Sequence, residues 1–290
     1  MSTPAALAEP GPHGLPMRFQ TRKGGWNGMK LCGADTKAPL HFINQRSGKT
    51  RQVLHQSAHK KDKSPALITV QKPHYRSNLS SDRDDFRIIL HPAGSNGRRT
   101  LDEGIEMEYK TSKELSGKYI DFKHRPTWEF TMRVGPANQQ EVFRWIKPQG
   151  SCQELKTTYK AELPIVKAGM PRPKSGMITR LVRGYVLVRM SGKVCSAQQQ
   201  GVEGDDETPL GFDKDGREIV ASCARGGSGW IGGNKMFFQF WGSGCTGELG
   251  EDFTRVAAIT GAALWHDDIL KEKAENARKN AQRNRQMNRR

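Results

Sequence analysis

The chain has no C-x-x-C pair. Its five cysteines, Cys32, Cys152, Cys195, Cys223 and Cys245, are odd in number and widely spread. That argues against a disulfide framework and against a zinc site of paired thiolates, and for a reducing compartment. No apolar run reaches the roughly 18 residues that a membrane-spanning helix needs. The first twenty residues are rich in Ala, Pro and Gly and lack the apolar core of a secretory signal. The expected location is intracellular, cytoplasmic or nuclear, with peripheral membrane attachment as the furthest departure. Also missing are a P-loop, a G-x-S-x-G elbow, and the regular strand–helix alternation of a parallel sheet.

What is present in excess is positive charge, a formal +17 over 290 residues. Residues 1–63 carry 11 Lys/Arg against 3 acids and residues 271–290 carry 8 against 2, leaving +3 for residues 64–270. The basicity therefore lives in the two ends. Such ends attract anionic partners, either nucleic acid or an acidic membrane surface, and say nothing about the fold.

From about Pro65 the pattern becomes a succession of short strands. Ala66–Val70 and Phe86–Leu90 are β-branched runs, and Ile105–Tyr109 alternates apolar with polar residues. Lys118–Phe122 can form a further strand. Trp128, Phe130, Met132 and Val134 recur at every second position, Gly135–Asn138 predicts a turn, and Val142–Ile146 returns as the next strand. Met177–Met190, with Gly184 as a bulge or kink, Glu218–Ser222 and Lys235–Trp241 complete eight to twelve strands. Before residue 64 only His41–Ile43 and Gln52–Leu54 suggest weak edge strands, and residues 1–63 are expected to be largely disordered.

One segment differs from all others. Val256–Trp265 reads Val-Ala-Ala-Ile-Thr-Gly-Ala-Ala-Leu-Trp, without a charge on any side. A helix apolar all round has to be enclosed. Ten residues cover only about 15 Å, so this is a core helix and not a membrane span. The expected core positions are Phe253, Val256, Ile259, Gly261, Leu264 and Trp265, on a helix over 252–270. Residues 271–290 continue helical spacing with a Glu275–Lys279 pair, then read as an exposed basic tail.

Several motifs invite chemistry and fail on context. Gly242-x-Gly244-x-x-Gly247 matches the dinucleotide fingerprint between a strand and a helix, but no second parallel strand follows; Gly227-x-Gly229-x-x-Gly232 leads into a strand. His55 and His59 have the spacing of a zinc helix pair without its glutamate. Asp82, Asp84 and Asp85, like Asp213 and Asp215, read as turn formers. Cys245 before a helix start reads as a small packing thiol. Arg144-Trp145-Ile146-Lys147 reads as an amphipathic strand, with the cation outside and the ring inside. No metal ligand set and no cofactor is expected.

Trp128-Glu-Phe, Val142-Phe-Arg-Trp145, Asp215-Gly-Arg-Glu-Ile-Val220 and above all Phe237-Phe-Gln-Phe-Trp-Gly-Ser-Gly-Cys-Thr-Gly-Glu-Leu-Gly250 resemble the tubby C-terminal-like superfamily, which includes tubby and LURP-one-related proteins. The resemblance covers residues 65–270. It implies a closed antiparallel β-barrel of about twelve strands with the hydrophobic C-terminal helix through its centre. Ala257, Ala258, Gly261 and Ala262 keep one side of that helix slim, as a lumen requires. It also implies an association with membrane lipids, phosphoinositides among them, although no lipid-contact residue is carried over by position.

The leading functional expectation is a non-enzymatic barrel acting as an adaptor or an anionic-lipid binding module, its partner a lipid surface or a protein. A second is a nucleic-acid-associated protein using Arg278, Lys279, Arg283, Arg285, Arg289 and Arg290 on phosphates. A third is an enzyme, which requires titratable groups converging in a pocket.

Overall fold

The structure, a computed structural model, describes residues 15–23, 28–33, 39–45, 51–56, 66–71, 86–91, 113–122, 125–148, 152, 154–155, 158, 183–191, 211–225 and 235–288. Outside them lie Ile105–Tyr109, His59, Asp82, Asp84, Asp85, the Gly227–Gly232 motif, Arg289 and Arg290. The described strands are β1 (Arg18–Lys23), β2 (Gly28–Cys32), β3 (Pro39–Gln45), β4 (Arg51–His55), β5 (Ala66–Gln71), β6 (Phe86–Leu90), β7 (Lys113–Phe122), β8 (Arg125–Val134), β9 (Gln139–Ile146), β10 (Arg183–Arg189), β11 (Ile219–Arg225) and β12 (Met236–Phe240). A one-turn helix, α1 (Ser243–Thr246), leads into α2 (Gly250–Met287).

All pairing is antiparallel and follows chain order, each strand bonded to its predecessor and successor. β1 bonds to β2 and also to β12, with Phe19 opposite Phe238. The β8–β9 turn is the predicted one: Asn138 N–H donates to Gly135 O at 3.1 Å, and both residues adopt positive φ.

The expected alternation holds in β8. Trp128, Phe130, Met132 and Val134 are buried, whereas Arg133 is exposed. Across the strand pair Phe130 faces Phe143 and Trp128 faces Trp145. In β9 the cation of Arg144 points away and pairs with Glu129 at 2.5 Å, while Trp145 is fully buried. Gly184 is not the site of the β10 irregularity, which falls between Leu187 and Val188. The glycine is there because a Cβ would stand 2.1 Å from Cys223 O on the neighbouring strand.

One expectation is corrected for the described residues, of which β3 and β4 contain the suggested segments His41–Ile43 and Gln52–Leu54. The N-terminal 63 residues supply four strands, β1 to β4, and Phe19, Met29, Leu31, Phe42, Ile43 and Leu54 are core residues. Each strand is five to seven residues long and mixes apolar with polar or charged residues. Its stability comes from cross-strand pairing and from the core cluster shared with α2, which a window of sequence does not display.

Helix α2 is buried from Phe253 to Trp265 apart from Arg255, and again at Ile269. All six expected core positions are among the buried residues. The helix does not end near Leu270 but runs on to Met287. Helix propagation costs far less than nucleation, and the buried half supplies the nucleus.

A second, smaller apolar cluster lies apart from the main core. Leu155, Val186, Val188, Ile219, Ala224 and Phe237 pack together with Cys152, Met190 and Trp241 at its edge. Thr158 and Ser222 hydroxyls meet at 2.6 Å beneath it, and Trp241 Nε1–H donates to Ser222 Oγ at 2.7 Å. The Cys152 thiol donates to Glu154 Oε2 at 3.0 Å. Burial first, then that carboxylate, pushes the thiol up to about 12. Because the raised value keeps the neutral thiol in the folded state, iodoacetamide at pH 8 is expected to label Cys152 slowly in native protein and fast in denaturant. Peptide-resolved mass spectrometry reads this directly; equal rates in both states would place Cys152 outside the cluster.

Candidate functional site

The strand–turn–helix expected at Lys235–Leu270 is present, and its glycines serve packing. Gly242 has φ 46°, and a Cβ there would lie 2.3 Å from Glu218 Oε1. At Gly244 a Cβ would lie 2.2 Å from Val220 O. The Glu218 carboxylate accepts from Ser243 N–H at 2.6 Å and from Ser243 Oγ–H at 3.0 Å. Arg189 stands behind it, bonded to both oxygens of the buried Glu141 and reaching Glu218 at 3.5 Å, Ser243 Oγ at 3.3 Å and Glu248 at 3.2 Å. The Glu141 bonds, more than any other contact, hold the guanidinium firmly in its charged form. A dinucleotide phosphate has no seat here. The first turn of α2 carries Glu251 and Asp252 and no basic residue, the wrong sign for an anion at a helix N-terminus.

The buried half of α2 is held by rings and two polar contacts. Trp145 Nε1–H donates to Thr260 Oγ1 at 2.9 Å, and Thr260 Oγ1–H returns to Val256 O at 2.7 Å. Phe143 lies against Phe253 with centroids 4.8 Å apart. The Cys223 thiol approaches Gly261 O at 3.6 Å, and its complete burial raises its pKa.

Where the helix emerges, a polar collar fixes its direction. Asp268 accepts from Tyr185 Oη–H at 2.8 Å and from Lys147 Nζ at 3.3 Å. One turn on, Glu272 pairs with Arg225 at 2.5 Å. Positions four apart share a helix face, so β10, β11 and the residue just after β9 grip one side of the exit. Gln52 Nε2 of β4 stands 3.5 Å from His266 Nδ1, at the start of the same turn as Asp268. Neither Asp268 nor Glu272 stood out in the sequence. Their signal is a pair of acids, four apart, at the boundary between apolar and basic helix.

Beyond the collar every residue from Lys273 to Asn288 is exposed. From Glu272 to Met287 the helix rises about 23 Å. Arg278, Lys279, Arg283 and Arg285, the described members of the expected anion-contacting set, all lie on this arm. At 100° per residue they fall within one half of the helix, Arg278 close to Arg285 and Lys279 close to Arg283. The arm also carries Asn276, Asn280, Asn284 and Asn288 at strict four-residue spacing, a regularity visible in the sequence and missed there.

The other motifs settle into structural roles. Asp213 Oδ1 accepts from Asp215 N–H at 2.9 Å and Arg217 N–H at 2.8 Å, the bonding of a turn former. His55 is on strand β4, and its carbonyl stands 3.2 Å from His41 Nδ1. Burial raises the Cys245 thiol, which packs on the core. Among the described residues no group of three or more His, Cys, Asp or Glu could hold a metal ion, and no helix is long and apolar enough to cross a membrane.

No family model matches the chain, and no curated protein or solved structure matches it either.

Proposed function

We propose that the protein is a non-enzymatic adaptor: a closed barrel, of the tubby-like kind that the sequence resembles, grips one half of a helix and offers the other half to nucleic acid. The β1–β12 pairing and the apolar residues buried along α2 support the barrel reading. The observation that carries the functional reading is the exposed arm itself. Between Lys271 and Asn288 it bears six Lys/Arg and two acids, and one of those acids, Glu272, is already paired with Arg225.

A helix that is polar all round has little reason to persist on its own. A polyanionic partner supplies one, because each phosphate contact releases counterions and adds affinity. An anionic lipid surface, the leading sequence expectation, fits the arm less well. Helices that lie in a membrane interface bury Trp, Phe or Leu on one face. Here the large apolar side chains are Leu270 at the base and Met287 near the tip.

The test compares the full chain with a variant carrying Arg278→Gln, Lys279→Gln, Arg283→Gln and Arg285→Gln, on a nucleic acid duplex and on vesicles containing anionic lipid. With about four phosphates contacted, wild-type affinity for the duplex is expected to fall about a hundredfold between 50 and 200 mM salt. The variant should lose most of its binding and most of that salt dependence. Tighter binding to the vesicles than to the duplex, or an unaffected variant, would falsify the proposal.

A further inference from the structure

We infer that the exposed arm is a base-reading helix for duplex DNA, carried in the major groove with the Asn276–Asn280–Asn284–Asn288 row facing base edges. The inference rests on the nucleic-acid reading above and adds which nucleic acid is bound, and by which side of the helix.

Asparagine is a poor helix former, yet four of them occupy an exposed helix at one spacing. Phosphate binding alone would be served better by more Lys or Arg on an alanine background. The asparagine amide matches adenine, giving and receiving one hydrogen bond each at N7 and N6 in the major groove. Residues four apart form a continuous ridge along a helix. Beside the ridge lie Ala277 and Ala281. Their small side chains let the backbone approach the base edges, where a methyl group can also meet thymine.

The cations then fall into place by angle. Arg285 flanks the row on one side and Arg283 on the other, each about 100° from Asn284, with Lys279 on the Arg283 side about 100° from Asn280, within reach of the two phosphate walls. Arg278 stands about 160° from both Asn276 and Asn280 and faces out of the groove. The arm contains no Phe, Tyr or Trp, so it offers no stacking platform for single strands. The major groove of A-form RNA is too deep and narrow for side chains to read. Duplex DNA is the remaining polymer whose groove admits a helix.

The experiment is selection of bound duplexes from a random-sequence library by the full chain, followed by affinity measurements. A short A·T-containing motif should be enriched and preferred about tenfold or more over scrambled duplex. The double variant Asn280→Ala, Asn284→Ala should lose that preference while retaining non-specific affinity; alanine raises helix propensity, and circular dichroism checks that the helix persists. Arg285→Ala should lower the salt slope by about 1, and Arg278→Ala by clearly less. The inference is overturned by an absence of enrichment, by preference unchanged in the asparagine variant, by equal slopes for the two cation variants, or by equal affinity for single strands. In each of those cases arm-dependent binding to nucleic acid can stand; the four-glutamine variant reports on that separately.

Discussion

Arg189→Met is expected to destabilise the protein by about 3 kcal/mol, the lower end of the cost of breaking a buried ion pair from one side. Glu141 is only 5 % exposed and takes both of its strong hydrogen bonds from this guanidinium. Methionine has similar length and no charge, so the carboxylate would remain buried without compensation. The Arg189 side chain is 15 % exposed, and the water that reaches it places the expected cost at the lower end. The loss also frees Glu218, whose bonds to Ser243 hold the chain where it turns from β12 into the helix. Urea denaturation reads the effect. Adding Glu141→Gln should recover part of the loss, since a neutral amide tolerates burial better than a lone carboxylate. A loss below about 1 kcal/mol, the range of exposed pairs, would show the network to be solvated and the turn held by backbone alone.

Gly261→Leu should cost about 1–3 kcal/mol, as overpacking of a filled core does. The first added carbon would already stand 2.9 Å from Phe238 Cε2 and 3.2 Å from Trp145 Cη2 and Cζ2. Neither ring is free to yield. Phe238 stacks on Phe19 with centroids 4.6 Å apart and meets Trp145 edge-on at 6.2 Å. Swinging Trp145 aside would break its bond to Thr260. Leucine's better helix propensity offsets less than about 1 kcal/mol of this. A thermal midpoint equal to that of wild type would mean that the helix lies outside the sheet.

The two variants probe features of unequal legibility. Gly261 was readable because it interrupts a ten-residue uncharged run, and a run that apolar on every side, too short to cross a membrane, has to be buried. The rings that enclose it were readable singly, from alternation in β8 and β9, but their meeting at one glycine was not. Arg189 and Glu141 lie 48 residues apart. Nothing in either local sequence distinguishes them from solvated charges, and only antiparallel pairing of β9 with β10 brings them together.

The arm follows the same division. Its cations, its helical spacing and the asparagine row are properties of residues 271–290 alone. Its direction depends on Tyr185, Lys147 and Arg225, which the sheet delivers to one side of the exit.

The strand-rich class, the buried helix and the basic end were legible in the sequence, because each is a matter of composition or period along the chain. The sequence by itself could not recruit β1 to β4, short strands of mixed composition that owe their stability to their pairing partners and to the core they share with the helix. The tertiary structure alone decided which charges are buried, which glycines are crowded, and where α2 leaves the sheet, since these depend on contacts between residues far apart in sequence.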